Sequence, residues 1–326
     1  MYNPKPRPPR GDPGFINMKL YRNIQKFLKA RTLSDPSTRN RAFWTDAFAI
    51  TGSTSPAVLP RTAIFGAIAT AITWFDAFGA WSLGIEVAPL EYAGAVLGVL
   101  LVARTNAGYE RWWEARKLWG TMTNRCRDLV VAGMAHGPLD RAWRDSYTRT
   151  VASFPHVVAH YLRNEREIPE VVKLVGEEIA AKIVARRNMP TAAVGEIAAY
   201  IREARSMGID GFDFLALETL RASVLDISGG CERILGTPLP RIVAIVIRRF
   251  IFLYLATLPF ALVSKLSWWT PVIVMLVAYP ILSLDQMGVE LENPFDKKRL
   301  NHLPMGEYAA RIELDAFEAL AEASEI

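Results

Sequence analysis

Four stretches of the sequence are apolar enough to cross a membrane, and polar segments flank them. They cover residues 62–81, 92–103, 242–263 and 268–284. A helix of about 20 residues crosses the ~30 Å hydrocarbon core of a bilayer, and residues 87–90 bring the short second stretch towards that length. Only residues 264–267 separate the last two stretches, so we predict an antiparallel helical hairpin there.

The polar segment between the second and third stretches, residues 104–239, has the pattern of a helical domain. Its apolar residues recur three and four positions apart, the spacing of one helix face, and Gly or Pro interrupts the pattern between the expected helices. No alternation typical of strands occurs in it. The sequence therefore predicts an all-α membrane protein with four transmembrane helices and a large helical domain in water. Within that domain we expect helices over residues 140–162, 168–186, 193–206 and 212–235.

Residues 104–120 follow the second apolar stretch without a Pro or a turn signal between them. The simplest interpretation is one long helix that leaves the membrane and continues into water. The membrane part of this helix begins with small residues, including Gly94 and Gly98, which permit close helix packing in lipid.

The distribution of charge indicates how the chain is oriented in the membrane. The 326 residues carry a net charge of +5, and residues 1–56 hold ten Lys or Arg side chains against three Asp. Because basic segments stay on the cytoplasmic side, this bias favours a cytoplasmic N-terminus rather than nucleic-acid binding. Four spans then place both termini in the cytoplasm. No apolar core with a small-residue cleavage site begins the chain, so we expect no cleaved signal peptide, and Met18 is an alternative start.

These patterns divide the chain into six segments. We expect a disordered tail at residues 1–18, an interfacial or cytosolic N-terminal segment at 19–56, the first two transmembrane helices at 57–103, the helical cytosolic domain at 104–239, the last two transmembrane helices at 240–288 and a cytosolic C-terminal segment at 289–326.

Five charged residues in or beside the apolar stretches are candidates for an ion pathway. Arg248 and Arg249 lie about one third of the way into the third stretch, where a charge is costly. They are expected either to reach the interface or an acidic partner, or to line an ion pathway. Asp76, Glu86 and Glu91 lie at or near the expected outer turn. In an oligomer they would form an acidic ring at the outer mouth, although a solvated turn explains the two Glu equally well.

No group of residues in the sequence predicts an enzyme or a cofactor. His156 and His160 have the four-residue spacing of a metal-binding pair, with Glu165 or Glu167 as a third ligand, but we interpret them as an ordinary surface pair. The two cysteines have no metal-type spacing, so no disulfide or zinc site is expected. A phosphate-binding loop and a nucleophile elbow are both missing, which argues against a hydrolase and an ATP-driven pump.

Three separated motifs resemble those of bestrophins, especially the bacterial branch. They are RTNAGYERWWEARKLWG at residues 104–120, GCERI at 230–234 followed by TPLP at 237–240, and ENPF at 292–295. The resemblance extends over residues 20–320 with the spans in the same order. It implies a homopentamer in the bacterial inner membrane, with one axial pore for small monovalent ions that the second transmembrane helix lines.

The resemblance also implies a narrow apolar neck in the pore. In the family this neck is formed by residues four positions apart, and on this sequence the row is Ala95, Val99 and Ala103. Relatives commonly carry Phe or Ile there. Either the neck of this chain is wider and wetter, or a small rotation brings Leu97 and Leu101 to the axis instead. A neck with less apolar bulk dewets less readily, which predicts weaker gating at this point.

Two further features of the family have counterparts in this chain. A second constriction at the cytosolic exit is implied on the helix before the GCERI motif, where the spacing gives Leu215 or Leu217. Animal relatives bind calcium through an acidic run after their NPF motif. Here Asp296 is followed by Lys297 and Lys298, and because lysines supply no oxygen ligands, we predict no calcium activation.

The family's default cargo, chloride or another small anion, makes an anion channel the first interpretation of this chain. The acidic outer mouth favours an alternative, a sodium-selective channel like some bacterial relatives, whereas Arg248 and Arg249 favour anions. A third interpretation is a non-conducting scaffold or a ligand receptor, but no ligand motif supports it. The lack of an internal repeat and of a broken helix pair disfavours a transporter.

Overall fold

A computed structural model describes residues 42–50, 52–79 and 84–324, and every regular element over these residues is helical. The expected tail at 1–18 and the first part of the segment at 19–56 lie outside the described residues. The elements are α1 (Ala42–Ala47), α2 (Ser55–Phe78), α3 (Ala88–His136), α4 (Arg141–Leu162), α5 (Pro169–Ala185), α6 (Met189–Ser206), α7 (Gly211–Gly236), α8 (Arg241–Leu266), a 3-10 turn (Ser267–Trp269), α9 (Thr270–Glu292) and α10 (Met305–Ser324).

The chain forms two compact units. The apolar unit consists of the described residues of Phe48–Leu118 and Gly230–Leu303. The polar unit consists of the described residues of Met1–Ala47, Trp119–Gly229 and Pro304–Ile326. The boundaries between the two units fall inside α3 and α7. The boundaries predicted from the sequence, at 103/104 and 239/240, are of another kind, because they mark where the chain is expected to pass between membrane and water. That change of solvent stays a prediction.

The apolar unit is built from helices suited to a bilayer. Ser55–Phe78, Ala88–His136 and Arg241–Glu292 are long and apolar enough to cross a membrane. The last of these contains α8, the 3-10 turn and α9, and its division into two spans stays a prediction. Helix α9 packs against α2 and α8. The core between the helices includes residues from all four apolar helices: Val58, Phe65, Leu97, Leu101, Ile251, Leu255, Val274 and Ala278.

The polar unit is centred on α4, in which residues 151–159 are all buried. Helices α5, α6 and α10 pack around it. Its ends follow from local signals in the sequence. The Asp140 carboxylate accepts a hydrogen bond from the Trp143 backbone N–H at 2.7 Å, and Asn188 caps α6 in the same way through Thr191. The observed starts lie within one residue of the expected ones for α4, α5 and α7, whereas α6 begins at Met189, four residues before the expected start.

Helix α5 departs from the expected pattern, because the predicted helix at 168–186 contains a break. Gly176 has a φ of +83° and a ψ of 167°, so two helical pieces meet there at a kink. A positive φ is accessible to Gly at no steric cost. The apolar spacing alone did not reveal this break.

Gly133 in α3 offers a stability test of the polar unit. A Cβ at this position would lie 2.9 Å from Cδ1 of Tyr147, and closer still to Cε1. The Tyr147 ring cannot move away easily, because it is fully buried, stacks on Trp143 and donates a hydrogen bond to the Leu129 carbonyl. Gly133→Ala is therefore expected to lower the free energy of unfolding by about 1–3 kcal/mol, measured by thermal unfolding in detergent.

A matched substitution separates this overpacking from the effect of Ala itself. Gly195 lies in α6, and a Cβ added to it would have no atom within 4 Å. Because Ala has the higher helix propensity, Gly195→Ala is expected to leave the stability unchanged or raise it by up to about 1 kcal/mol. Equal stability of the two variants would contradict the packing described for Tyr147.

Candidate functional site

Helix α3 is the longest element of the structure, with 49 residues. It contains both the apolar residues 92–103 and the polar motif at 104–120 without interruption, which confirms the prediction of a single helix. Within the apolar unit the two kinds of sequence therefore share one continuous helix, in which the position of a residue determines the direction that its side chain faces.

One face of α3 is exposed to solvent in the part of the chain that the structure describes. Ala95, Val99 and Ala103 are all exposed, and Val99 is 70% exposed. We call this row the α3 stripe. By contrast, Leu97 and Leu101 are each only 1% exposed, because they belong to the core of the apolar unit. The face that carries these two leucines is thus occupied by packing within the chain.

The residue after the α3 stripe belongs to a buried ion-pair cluster. Asp285 of α9 is 3% exposed, and its carboxylate accepts hydrogen bonds from Arg104 and, at 3.1 Å, from Nε of Arg248. We call these three residues the Asp285 cluster. Arg104 itself is 8% exposed, whereas the Arg248 side chain is about half exposed. Of the alternatives open for Arg248, the structure shows an acidic partner, while its half-exposed side chain leaves the ion pathway a prediction.

Close approach of α3 and α9 surrounds the Asp285 cluster. A Cβ added to Gly288 would lie 3.1 Å from Nε of Arg104, and one added to Gly108 would lie 3.2 Å from Cβ of Leu291. Small residues on both helices thus make room for the Arg104 side chain. The contact fixes the position of α3 immediately after Ala103.

Arg111 brings the three sequence motifs together within the apolar unit. Its guanidinium donates hydrogen bonds to the carbonyls of Ile234 and Thr237 at the C-terminal end of α7, and to the carbonyl of Glu292 at the end of α9. A helix C-terminus leaves carbonyls without intrahelical partners and carries partial negative charge, so an Arg is well suited to this position. The motifs are distant in sequence, yet they form one joint in space.

Other side chains of the motifs complete this joint. Nε1 of Trp112 donates to the Asn301 carbonyl at 2.7 Å, and Glu114 forms an ion pair with Arg233 at 2.6 Å. The Asn293 side chain accepts a hydrogen bond from the backbone N–H of Phe295, which is fully buried. These contacts give the polar residues of the motifs a structural role.

The remaining charged candidates are separate from the Asp285 cluster. Glu86 and Glu91 are exposed, and Asp76 near the end of α2 is half-buried. Arg249 is exposed on α8, and no hydrogen bond or ion pair joins it to another residue that the structure describes. An acidic outer mouth built from the three acids stays a prediction, because it requires neighbouring subunits.

The two candidates for the cytosolic constriction have different environments in α7. Leu217 is fully buried in the polar unit, whereas Leu215 is 62% exposed. Only Leu215 is therefore available to line an aperture without repacking of the core.

The histidine pair is not the surface pair that the sequence suggested. His156 is 5% exposed and bonds Glu313 of α10 at 3.0 Å, while the two ring nitrogens of His160 contact Glu165 and Glu170. Partial burial tends to raise the pKa of Glu170, but a backbone hydrogen bond and the contact with His160 outweigh burial and lower it. Over the described ranges, no group of three or more potential ligands could hold a metal ion.

Both cysteines are free and buried. Burial, with smaller contributions from Glu232 and Glu114, raises the pKa of Cys231 to about 12. A thiol with so high a pKa is almost entirely protonated at neutral pH and is therefore unreactive.

Sequence reasoning missed Asp285 and the burial of Arg104. Asp285 directly follows the fourth apolar stretch. An acid at that position, together with two arginines in the third apolar stretch, was the available signal. From the sequence, Arg104 is expected to be the first polar residue after the second membrane span. In the fold it is buried by packing between residues that are distant in sequence.

Comparison with known proteins agrees with the motifs. Residues 36–318 match the family described as Bacterial/Fungal Bestrophin protein. Relatives include the voltage-dependent anion channel-forming proteins of Synechocystis, 33% identical over 82% of this chain and 89% of the relative, and of Mesorhizobium japonicum, 32% identical over 85% and 89%. A solved bacterial bestrophin homolog from Klebsiella pneumoniae is 25% identical, with a TM-score of 0.74, over 81% of this chain and 98% of that chain. The chain therefore belongs to the bestrophin family.

Proposed function

We propose that this protein is an anion channel of the inner membrane that passes chloride and other small monovalent anions down their gradient. The observation that carries the proposal is the α3 stripe: a row of small apolar side chains that the chain leaves uncovered on a membrane-length helix. The names of the relatives, voltage-dependent anion channel-forming proteins, support the choice of an anion. The protein is a channel rather than an enzyme.

The pore is proposed to lie on the axis of a homopentamer, with Ala95, Val99 and Ala103 of each subunit forming the neck. Burial of Leu97 and Leu101 supports this face over the alternative one, because turning those leucines to the axis would empty the core of the apolar unit. Leu215 is the proposed cytosolic aperture. Both termini are proposed to be cytoplasmic, with four spans in each subunit.

The Asp285 cluster supports anion passage through its charge. Two arginines and one aspartate leave a formal excess of one positive charge per subunit, and one of them, Arg104, directly follows the inner end of the stripe. A sodium-selective channel of the same architecture is the second candidate, which the exposed Glu86 and Glu91 support.

Release of chloride from proteoliposomes tests the proposal. Vesicles that contain the purified protein are expected to release trapped chloride once a counter-ion pathway is supplied, whereas protein-free vesicles retain it. Native mass measurement in detergent should give five copies. Retention of chloride by vesicles that hold correctly assembled pentamers would contradict the proposed function.

A further inference from the structure

The uncovered face of α3 continues beyond the neck. Two turns of an α-helix take about 7.2 residues, so residue i+7 faces nearly the same way as residue i. Seven residues after Ala103 comes Glu110, and seven after that comes Lys117; both side chains are exposed. Asn106 and Trp113 are exposed on the same face. The α3 stripe therefore extends into a row of polar and charged side chains.

We infer that Glu110 is a selectivity-determining residue, whose five copies form a ring of negative charge just inside the neck. The inference rests on the proposed function, because it takes the pentamer and the neck row from it. At a rise of 1.5 Å per residue, Glu110 lies about 10 Å along the helix from Ala103. Among the exposed side chains of this face, Glu110 is the first charged one that an ion meets after it leaves the neck on the inner side.

Among the residues that the structure describes, Glu110 has no counter-charge. No hydrogen bond or ion pair joins Glu110 to any residue in the described ranges. The neighbouring Arg111 guanidinium is directed to three backbone carbonyls at the ends of α7 and α9. Glu114, one turn further on, differs from Glu110 in being paired with Arg233.

Positive charges near the Glu110 ring, those of Lys117 and of the Asp285 cluster, offset its negative charge only in part. Lys117 lies about 10 Å further along α3. Because the Debye length at physiological ionic strength is ~8 Å, salt screens much of its interaction with Glu110. The arginines of the Asp285 cluster share one buried carboxylate. A ring of five like charges around a narrow water-filled space concentrates counter-ions and repels ions of its own sign. Glu110 thus limits the preference of the channel for anions.

The test is the permeability ratio of sodium to chloride, obtained from reversal potentials in planar bilayers under a sodium chloride gradient. Glu110→Gln is expected to lower this ratio by about threefold or more relative to the wild type, with ion conduction retained. The matched control is Glu177→Gln in α5, which removes the same charge from an exposed side chain outside α3 and is expected to leave the ratio unchanged.

A second variant covers a failure of Glu110→Gln to assemble. Glu110→Cys is reconstituted and then labelled with an anionic or a neutral methanethiosulfonate reagent, while the native cysteines remain unreactive because they are buried. The anionic label should restore the wild-type ratio and the neutral label should not. Equal ratios for wild type, Glu110→Gln and both labelled forms would overturn the inference and leave the channel intact. A wild type without any current would instead overturn the proposed function itself.

Discussion

Asp285→Asn is expected to lower the free energy of unfolding by about 3–5 kcal/mol, the range for breaking a buried ion pair from one side. The carboxylate is 3% exposed and is bonded to Arg104 and Arg248. Its loss leaves Arg104, itself buried, without a counter-charge at the contact of α3 with α9. Thermal unfolding in detergent measures the change.

Two comparisons isolate the effect of burial. Asp128→Asn removes an acid from the exposed pair of Arg125 and Asp128, whose side chains are 45% and 51% exposed, and is expected to cost less than about 1 kcal/mol. The double variant Asp285→Asn with Arg104→Gln should recover part of the loss, because no uncompensated charge stays buried at Arg104. If Asp285→Asn melts like Asp128→Asn, the Asp285 cluster does not stabilise the protein as described.

Ala103→Phe is expected to reduce the conductance by about tenfold or more, because five aromatic rings would narrow the neck and favour its dewetting. Ala103 is exposed in the protomer and precedes Arg104, whose bonding to Asp285 fixes the helix there. Folding of the subunit should therefore tolerate the larger side chain. Single-channel recording in planar bilayers measures the effect.

The matched control for added aromatic bulk is Val272→Phe in α9. Val272 is 47% exposed but does not lie on the α3 stripe. Its replacement is expected to leave the conductance unchanged. If Ala103→Phe channels carry wild-type currents, Ala103 does not line the pore. The assignment of the neck to Ala95, Val99 and Ala103 would then be wrong.

The helices and most of their ends could be predicted because their signals are local. Asp140 and Asn188 cap helices through bonds to residues three positions away, and apolar spacing revealed the buried faces. The break at Gly176 escaped because many glycines occur within helices without a positive φ. Local sequence therefore predicts where the helices lie, but it does not predict where a helix is interrupted.

The contacts of the candidate site could not be predicted because they join residues that are far apart in sequence. Arg104 and Asp285 are separated by 181 positions, and His156 and Glu313 by 157. The composition of α3 also cannot distinguish Ala103 from Leu101, since both are apolar. Leu101 is buried in the apolar core with residues of α2, α8 and α9, whereas Ala103 is exposed.

The reversal potential of the wild-type protein in a planar bilayer under a sodium chloride gradient tests the channel assignment most closely. The prediction is a steady current from purified pentamers that reverses on the side of the chloride equilibrium potential. Reversal on the sodium side would replace the anion channel by the sodium-selective alternative. No current above that of protein-free bilayers, from protein shown to be inserted and pentameric, would contradict the proposal that α3 surrounds a conducting pore.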